Sequence, residues 1–401
     1  MSLNVLVAPS GFKESLGADE IADCIAAGIL RVVPDANIRK VPLVDGGEGF
    51  TKALVAVTGG TLHEITVMGP IGKPIQSHFG FLGGTSQLTA VLEMSAAAGL
   101  RLVPREVRDP QITTTYGVGQ LIKAALDLGT QRILVGCGDS GTNDGGAGMA
   151  QALGVELLDA ENQPIGLGGR ALHHLHHINL DKRDPRLARV QIDVACNWHN
   201  LLCGPNGVAR VFGPQKGATP AMVKSLEAAL DHYADVIERD LYIDVREMPG
   251  GGASGGLGTG LSALLGAQLY PRYDIVMEYL ELDRWLPESD LVITAEGCID
   301  FQTPRGKIPV EVAKRAKRYN LPVIAIAGSI GQDAAINIDH GIDAFTTILE
   351  TPCQLSEAIE QAATLVTNAT ERMVRMIALG YSLPHSDRPL LHLPQHKPVA
   401  A

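Results

Sequence analysis

The 401-residue sequence predicts an α/β protein in which a parallel-sheet domain is interrupted by a second, mixed-sheet α/β domain. Three observations carry that prediction. Roughly the first 60 and the last 110 residues alternate short apolar runs with amphipathic stretches, the pattern of buried strands joined by helices. Between them, Leu62 to Glu93 shows short alternating runs joined by Gly/Pro turns, which reads as an antiparallel meander. The chain is also long enough to bury more than one core. The interrupted domain is placed at residues 1–65 and 286–381, the inserted one at 66–285, and a loose Pro/His-rich tail at 382–401.

The elements follow in order. Leu3 to Ala8 is a continuous apolar run, so it belongs inside a parallel sheet. A loop, Pro9 to Ser15, precedes a helix from about Ala18 to Arg31 with Ile21, Cys24, Ile25 and Gly28 on one face. Lys13 lies between strand end and helix start, where a phosphate-binding lysine would sit; a solvated loop lysine is the plainer alternative. Ile38 to Leu43 is a strand that runs into Asp45-Gly46-Gly47-Glu48-Gly49 and a helix from Phe50 to Val57. Asp45 and Glu48 offer the hard oxygens that Mg²⁺ takes, or they complement the helix dipole. The meander ends at Glu93.

Arg132 to Val135 is an apolar strand, and Gly136 to Gly148 is the glycine-rich loop after it. Small residues there let main chain approach a ligand closely, and Asn143 and Asp144 stand where a strand end delivers side chains into a crevice. A phosphate fits such a place; a glycine-rich turn with an Asp helix cap is the alternative. His173-His174-Leu175-His176-His177 has no Cys or carboxylate at a ligand spacing. Cys196 to Cys203 reads as a structural loop or one near the substrate. Lys216, beside Gly217, is a candidate phosphate contact ahead of a long helix from Pro220 to Arg239. Pro249 to Gly260 reads as the most flexible segment and holds a weak dinucleotide pattern at Gly258. Strands at Asp290–Thr294, Pro322–Ala327 and Ala344–Leu349, a helix reaching Lys317 and a closing helix, Leu355–Leu379, complete the pattern.

Charge and cysteine content narrow the function. The net charge of -11 argues against a nucleic-acid partner. No run of about 20 apolar residues suggests a membrane span. The six cysteines are scattered and form no disulfide framework, so a cytoplasmic protein with reduced thiols is expected. Neither a Walker-type Gly-x-x-x-x-Gly-Lys-[Ser/Thr] nor a Gly-x-Ser-x-Gly elbow occurs. What recurs is Asp or Glu with Gly at helix starts, plus Lys near Gly. Phosphoryl transfer needs that combination: acids for Mg²⁺ and for the hydroxyl proton, and Lys with backbone N–H for phosphates.

Several motifs together resemble the bacterial type of glycerate kinase. They are Ala8-Pro9 through Phe12-Lys13, Asp45 to Gly49, Glu93-Met94, Thr142 to Gly146, Phe212 to Ala218, and Glu296-Gly297 through Asp300, Thr303 and Lys307. The likeness covers about residues 3–380. It implies a discontinuous flavodoxin-like domain with a second α/β domain inserted, and transfer of the γ-phosphate of ATP to D-glycerate, commonly at the 2-hydroxyl, with Mg²⁺. The partners expected are ATP and this small hydroxy acid, with a homodimer as the candidate assembly. Asp45 and Asp300 become candidates for Mg²⁺ ligation or base chemistry, and Lys13 for neutralising charge at the reaction. Asp144 is either a base or a helix-cap acid. Thr142, Asn143, Gly145, Gly146, Lys216, Glu296 and Lys307 are the candidates for contacting substrate or phosphate.

The sequence departs from the family pattern at several points. Ser10 replaces an Asp, Asp139 adds an acid, Cys196 to Leu202 replaces an Asp-x-x-Asn-Pro-Leu string, and Cys298 replaces an Arg. An arginine holds a carboxylate bidentately and a cysteine cannot, so a related hydroxy-acid acceptor is an alternative. So is a non-catalytic binding protein with the same fold. An oxidoreductase built on the Gly258 region is a third reading.

Overall fold

The structure is a computed structural model that describes residues 2–12, 15–44 and 46–382. Lys13, Asp45 and the tail placed at 382–401, save for the backbone of residue 382, lie outside the described residues. In chain order the strands are β1 Asn4–Val7, β2 Asn37–Lys40, β3 Thr61–Met68, β4 Pro74–Phe81, β5 Thr89–Glu93, β6 Arg132–Gly136, β7 Glu156–Leu158, β8 His177–Asn179, β9 Gln191–Cys196, β10 Gln268–Pro271, β11 Leu291–Ile299, β12 Val323–Ile330 and β13 Ala344–Thr347. The chain packs as two units, residues 1–44 with 276–401, and residues 45–275.

In the first unit β1 is apolar and buried from Val5 to Val7; β2 and β11 pair with its two edges in parallel, and helix side chains such as Ile21 and Val366 pack with Val5 and Val7. The full order is β2-β1-β11-β12-β13, all parallel. Counted within the unit this is 2-1-3-4-5, the flavodoxin-like arrangement, whose strand order reverses between β1 and β11. The helix Ala18–Leu30 buries Ile21, Ile25 and Ile29 and packs against the helix Ala362–Ser382. These two helices join Val5, Val7, Ile293 and Ile326 in one core. Each aliphatic side chain fully buried there contributes about 1.5–3 kcal/mol.

The second unit is built on the sheet β10-β9-β6-β5-β4-β3. Its β3, β4 and β5 form the antiparallel meander, and β5, β6, β9 and β10 run parallel. The helix Phe50–Thr58 packs on β3, β4 and β5 and buries Phe50 and Leu54. The helix Pro220–Leu241 starts where the Thr219 hydroxyl accepts the Met222 N–H at 3.3 Å, and it buries Leu226, Leu230, Tyr233 and Ile237. A small antiparallel pair, β7 with β8, lies apart from the main sheet.

Two expectations change. The segment over Gly250–Gly260 is not a loose loop: it is a run of tight turns in which Ser254, Gly255 and Gly256 all take left-handed backbone conformations, and most of it is buried. Its glycines let backbone pack on backbone, which a sequence pattern alone reads as freedom. No strand leads into Gly258, so the geometry of a dinucleotide fingerprint is missing there. The closing helix is also broken: Leu355–Glu360 ends at Gln361 before Ala362–Ser382 begins.

Candidate functional site

In the second unit the loop after β6 is tied down residue by residue. The Asp144 carboxylate is wholly buried and accepts five hydrogen bonds. Its Oδ2 takes the Thr115 N–H at 2.7 Å and the Thr115 hydroxyl at 2.9 Å. The N–H groups of Gly146 and Gly148, at the start of the helix Ala147–Ala152, donate at 3.2 and 3.3 Å. Burial raises the Asp144 pKa, and these donors pull it partly back. The carboxylate thus joins the 113–115 segment to the loop and caps the short helix, which leaves it little capacity to accept a proton from a ligand.

Lys216 approaches the same loop from beneath. It follows the short Val208–Phe212 helix, in a Gly-Pro-Gln-Lys-Gly turn, and is only 2% exposed. Its Nζ donates to the Thr142 carbonyl at 2.7 Å, the Ser140 hydroxyl at 2.8 Å and Asn143 Oδ1 at 3.4 Å. An ammonium has three N–H donors, and here the chain itself receives all three. Burial lowers the Lys216 pKa to about 7, with the Asp144 charge opposing the shift.

Gly145 and Gly146 turn the loop at φ 63 and 77, which suits glycine and few other residues. The Gly145 N–H donates to the Gly255 carbonyl at 3.0 Å. A Cβ on Gly255 would lie 2.0 Å from the Thr142 carbonyl oxygen, so the 254–256 turn can press against the loop only as glycine. That turn is held in its own right, because the N–H groups of Gly250 and Gly252 donate to the carbonyls of Trp198 and Asn200. Thr142 Oγ1 and Asn143 Nδ2 are buried and have no hydrogen-bond partner among the described residues.

Beside this loop Glu93 accepts the N–H of Gly49 at 3.0 Å and of Thr51 at 2.8 Å. It caps the helix Phe50–Thr58, and burial raises its pKa. Asp139, the added acid, accepts the Glu48 N–H at 3.0 Å. The histidines of the tract are exposed and make surface polar contacts: His177 Nδ1 sits 2.9 Å from Asp240 and His173 Nε2 3.2 Å from the Ser225 hydroxyl.

In the first unit the charged residues gather at the carboxyl end of β11, next to β1, where the strand order reverses. Ser10 stands at the end of β1, and its N–H and hydroxyl both donate to the Ala295 carbonyl. Glu296 and Cys298 lie on the last turns of β11, with the Gly297 N–H 3.2 Å from Glu296 Oε1. Asp300 follows in the loop, its side chain 18% exposed. Its Oδ1 takes the Gln302 N–H at 2.9 Å, Lys307 Nζ at 3.2 Å and the Thr303 hydroxyl at 3.3 Å. Lys307 also donates to the Cys298 carbonyl at 3.0 Å. Burial alone would raise the Asp300 pKa, but the Gln302 N–H and Lys307 outweigh it, and the group stays below the usual carboxylate range.

The two oxygens of Asp300 are therefore unequal. Oδ1 takes three donors, whereas among the described residues Oδ2 has only the Cys298 thiol at 3.8 Å. An ionised carboxylate with one oxygen to offer fits Mg²⁺, which binds one or two protein carboxylates and fills its shell with water and substrate phosphates. Among the described residues no three His, Cys, Asp or Glu side chains gather into an all-protein metal cage.

The sequence singled out most of these residues but not their dispositions. Ser140 and Thr115, which anchor Lys216 and Asp144, were not among its candidates, and neither was Ser254. The repeated glycines at 250–256 were the available signal, since they mark a close backbone approach as readily as a flexible loop.

The glycerate kinase family model matches residues 5–378. A glycerate kinase of Haemophilus influenzae is 46% identical over 94% of this chain and 100% of its own length. A glycerate 2-kinase of Escherichia coli K12 is 45% identical over 94% of this chain and 99% of its own. A solved structure from Salmonella typhimurium LT2, with glycerate kinase 2 as its provisional name, superposes with a TM-score of 0.84 at 44% identity. That alignment covers 96% of this chain and 100% of the other.

Proposed function

The chain belongs to the glycerate kinase family, and from that premise we propose that it transfers the γ-phosphoryl group of ATP to the 2-hydroxyl of D-glycerate, with Mg²⁺. The observation that carries this reading is the unequal pair of Asp300 oxygens at the carboxyl edge of β11. One is fixed by Lys307 and Gln302, and the other has, among the described residues, only the Cys298 thiol as a contact. A general base works best with a pKa near the operating pH. Asp300 lies well below that, so metal ligation suits it better than proton abstraction.

The other residues divide the work by exposure. Asp300 would hold Mg²⁺ through Oδ2, and the ion would supply charge neutralisation on the transferring group. Lys307 adds positive charge beside it, with its side chain 28% exposed. Asp144 is sealed by its own hydrogen bonds and serves to position the loop. That leaves Asp45 for the hydroxyl proton, and Lys13, Thr142, Asn143, Gly145, Gly146 and Glu296 for binding substrate or phosphate. In the reaction the substrate hydroxyl oxygen bonds to the γ-phosphorus. The bond from that phosphorus to the bridging oxygen breaks, ADP leaves, and the hydroxyl proton passes to the base.

The test is ADP release from Mg-ATP with D-glycerate, with the product resolved by phosphorus NMR. The expected outcome is glycerate-dependent turnover to 2-phosphoglycerate. Folded protein that binds ATP and releases no ADP with D-glycerate would overturn the acceptor assignment; 3-phosphoglycerate would overturn the position of transfer.

A further inference from the structure

We propose that Thr142, Asn143 and Ser254 form an oxyanion pocket that binds an anionic group of the substrates, either the carboxylate of the hydroxy acid or the terminal phosphate of the nucleotide. The inference rests on the kinase reading for its choice of ligands and adds Ser254 as a binding residue.

The argument starts from unmet hydrogen-bonding capacity. Among the described residues Thr142 Oγ1 and Asn143 Nδ2 are buried atoms with no hydrogen-bond partner, and the buried Ser254 Oγ has nothing better than a weak contact with the Cys137 thiol. Thr142 and Asn143 are fully buried residues. A buried polar group left short of partners is costly, and here three such groups lie on two segments in contact. The contact is tight: a Cβ on Gly255 would lie 2.0 Å from the Thr142 carbonyl oxygen and 3.0 Å from Asn143 Cα. Ser254 adjoins that glycine, with φ 54 and ψ 44.

The chemistry of the missing partner follows from the groups themselves. Lys216 is solely a donor, so the Asn143 oxygen must face it, and the unmet atom is the amide nitrogen, a donor only. The two hydroxyls can donate as well. The Cys137 thiol, which the Ser254 hydroxyl meets, is only a weak acceptor. The Lys216 ammonium behind the loop adds positive charge. Hydroxyl and amide donors backed by a cation suit an anionic oxygen.

The experiment compares the full-length protein with Ser254→Gly and Thr142→Val. Glycine accepts the left-handed backbone of position 254, and valine keeps the shape of threonine, so both variants fold. Calorimetry and thermal shift are measured with D-glycerate, with Mg-ATP and with inorganic phosphate. Ligand-free melting should be unchanged or higher, because the buried hydroxyl removed has no strong partner. Binding of one probe should weaken by roughly ten- to a hundredfold, the value of one or two hydrogen bonds to a charged group. Loss confined to D-glycerate assigns the pocket to the carboxylate. Loss confined to Mg-ATP and phosphate assigns it to the phosphate. Unaltered binding of every probe by both variants overturns the pocket, as does a fall in ligand-free melting, which marks a structural role. If the wild type binds no D-glycerate, the acceptor reading falls, and the ATP and phosphate titrations still decide the pocket.

Discussion

The loop around Asp144 and the loop around Asp300 contain the same kinds of residue and do opposite things with them. Each pairs an aspartate with a lysine from a Gly-Lys or Lys-Gly turn. Around Asp144 the chain closes over both charges, and burial raises the acid and lowers the lysine. Around Asp300 partial exposure and a direct lysine bond leave the acid ionised, with one oxygen to offer. The difference lies in whether a charge is used up inside the protein. A sealed ion organises backbone, and an unsealed one is available to a ligand.

Four substitutions break or sharpen that contrast. Asp300→Asn should have the largest effect, lowering kcat/KM by on the order of a hundredfold or more and raising the Mg²⁺ concentration for half-maximal rate, with melting little changed. Steady-state assays across Mg²⁺ concentration, beside a melting curve, read both. Asp144→Ala should do the reverse. It strands the N–H groups of Thr115, Gly146 and Gly148, and urea unfolding should show a loss of about 3–5 kcal/mol. A variant that kept full stability would show that these bonds do not hold the loop.

Lys216→Met sharpens the comparison through pH. The folded ammonium titrates near 7 and an unfolded lysine near 10.5, so between those values the unfolded chain binds more protons. Stability from this group therefore rises with pH across that window, by up to about 1.4 kcal/mol per unit. The methionine variant should lack this rise. At about pH 9 it should be less stable by about 1–3 kcal/mol from the stranded acceptors, and the gap should narrow toward neutral pH. A constant gap in urea unfolding from pH 7 to pH 9 would mean that Lys216 stays fully charged. Glu93→Gln should have the smallest effect, about 1 kcal/mol, because the amide keeps one acceptor for the N–H groups of Gly49 and Thr51. Denaturation midpoints resolve a change of that size.

The sequence foretold the two loops better than their burial. A glycine-rich stretch after an apolar strand located Thr142 to Gly148, and Asp300 to Lys307 stood out in the same way. The parallel sheet of the first unit also followed, since continuous apolar runs separated by helices favour one, whereas its flavodoxin-like order came only through the family resemblance. What stayed hidden depended on contacts distant along the chain. Lys216 sits in a turn that reads as surface, and only the Ser140 to Asn143 segment gives it a reason to face inward. The 250–256 glycines read as mobile because composition does not reveal that another backbone lies against them. The weak β10 and the β7–β8 pair lack a long alternating run, so pattern alone passed over them.

The parallel pairing of β1 with β11 also sets a clock on synthesis. Val5 aligns with Leu291, so an early strand has to wait for its central neighbour while the entire intervening unit emerges from the ribosome. At roughly 5–20 residues per second that delay is on the order of 15–60 s. The intervening unit has all its own strands before β11 exists, and it can fold first. Meanwhile the apolar β1 segment is exposed to chaperones and to other nascent chains. Yield in cells should therefore be more sensitive to substitutions that make β1 stickier than the stability of the finished protein would suggest.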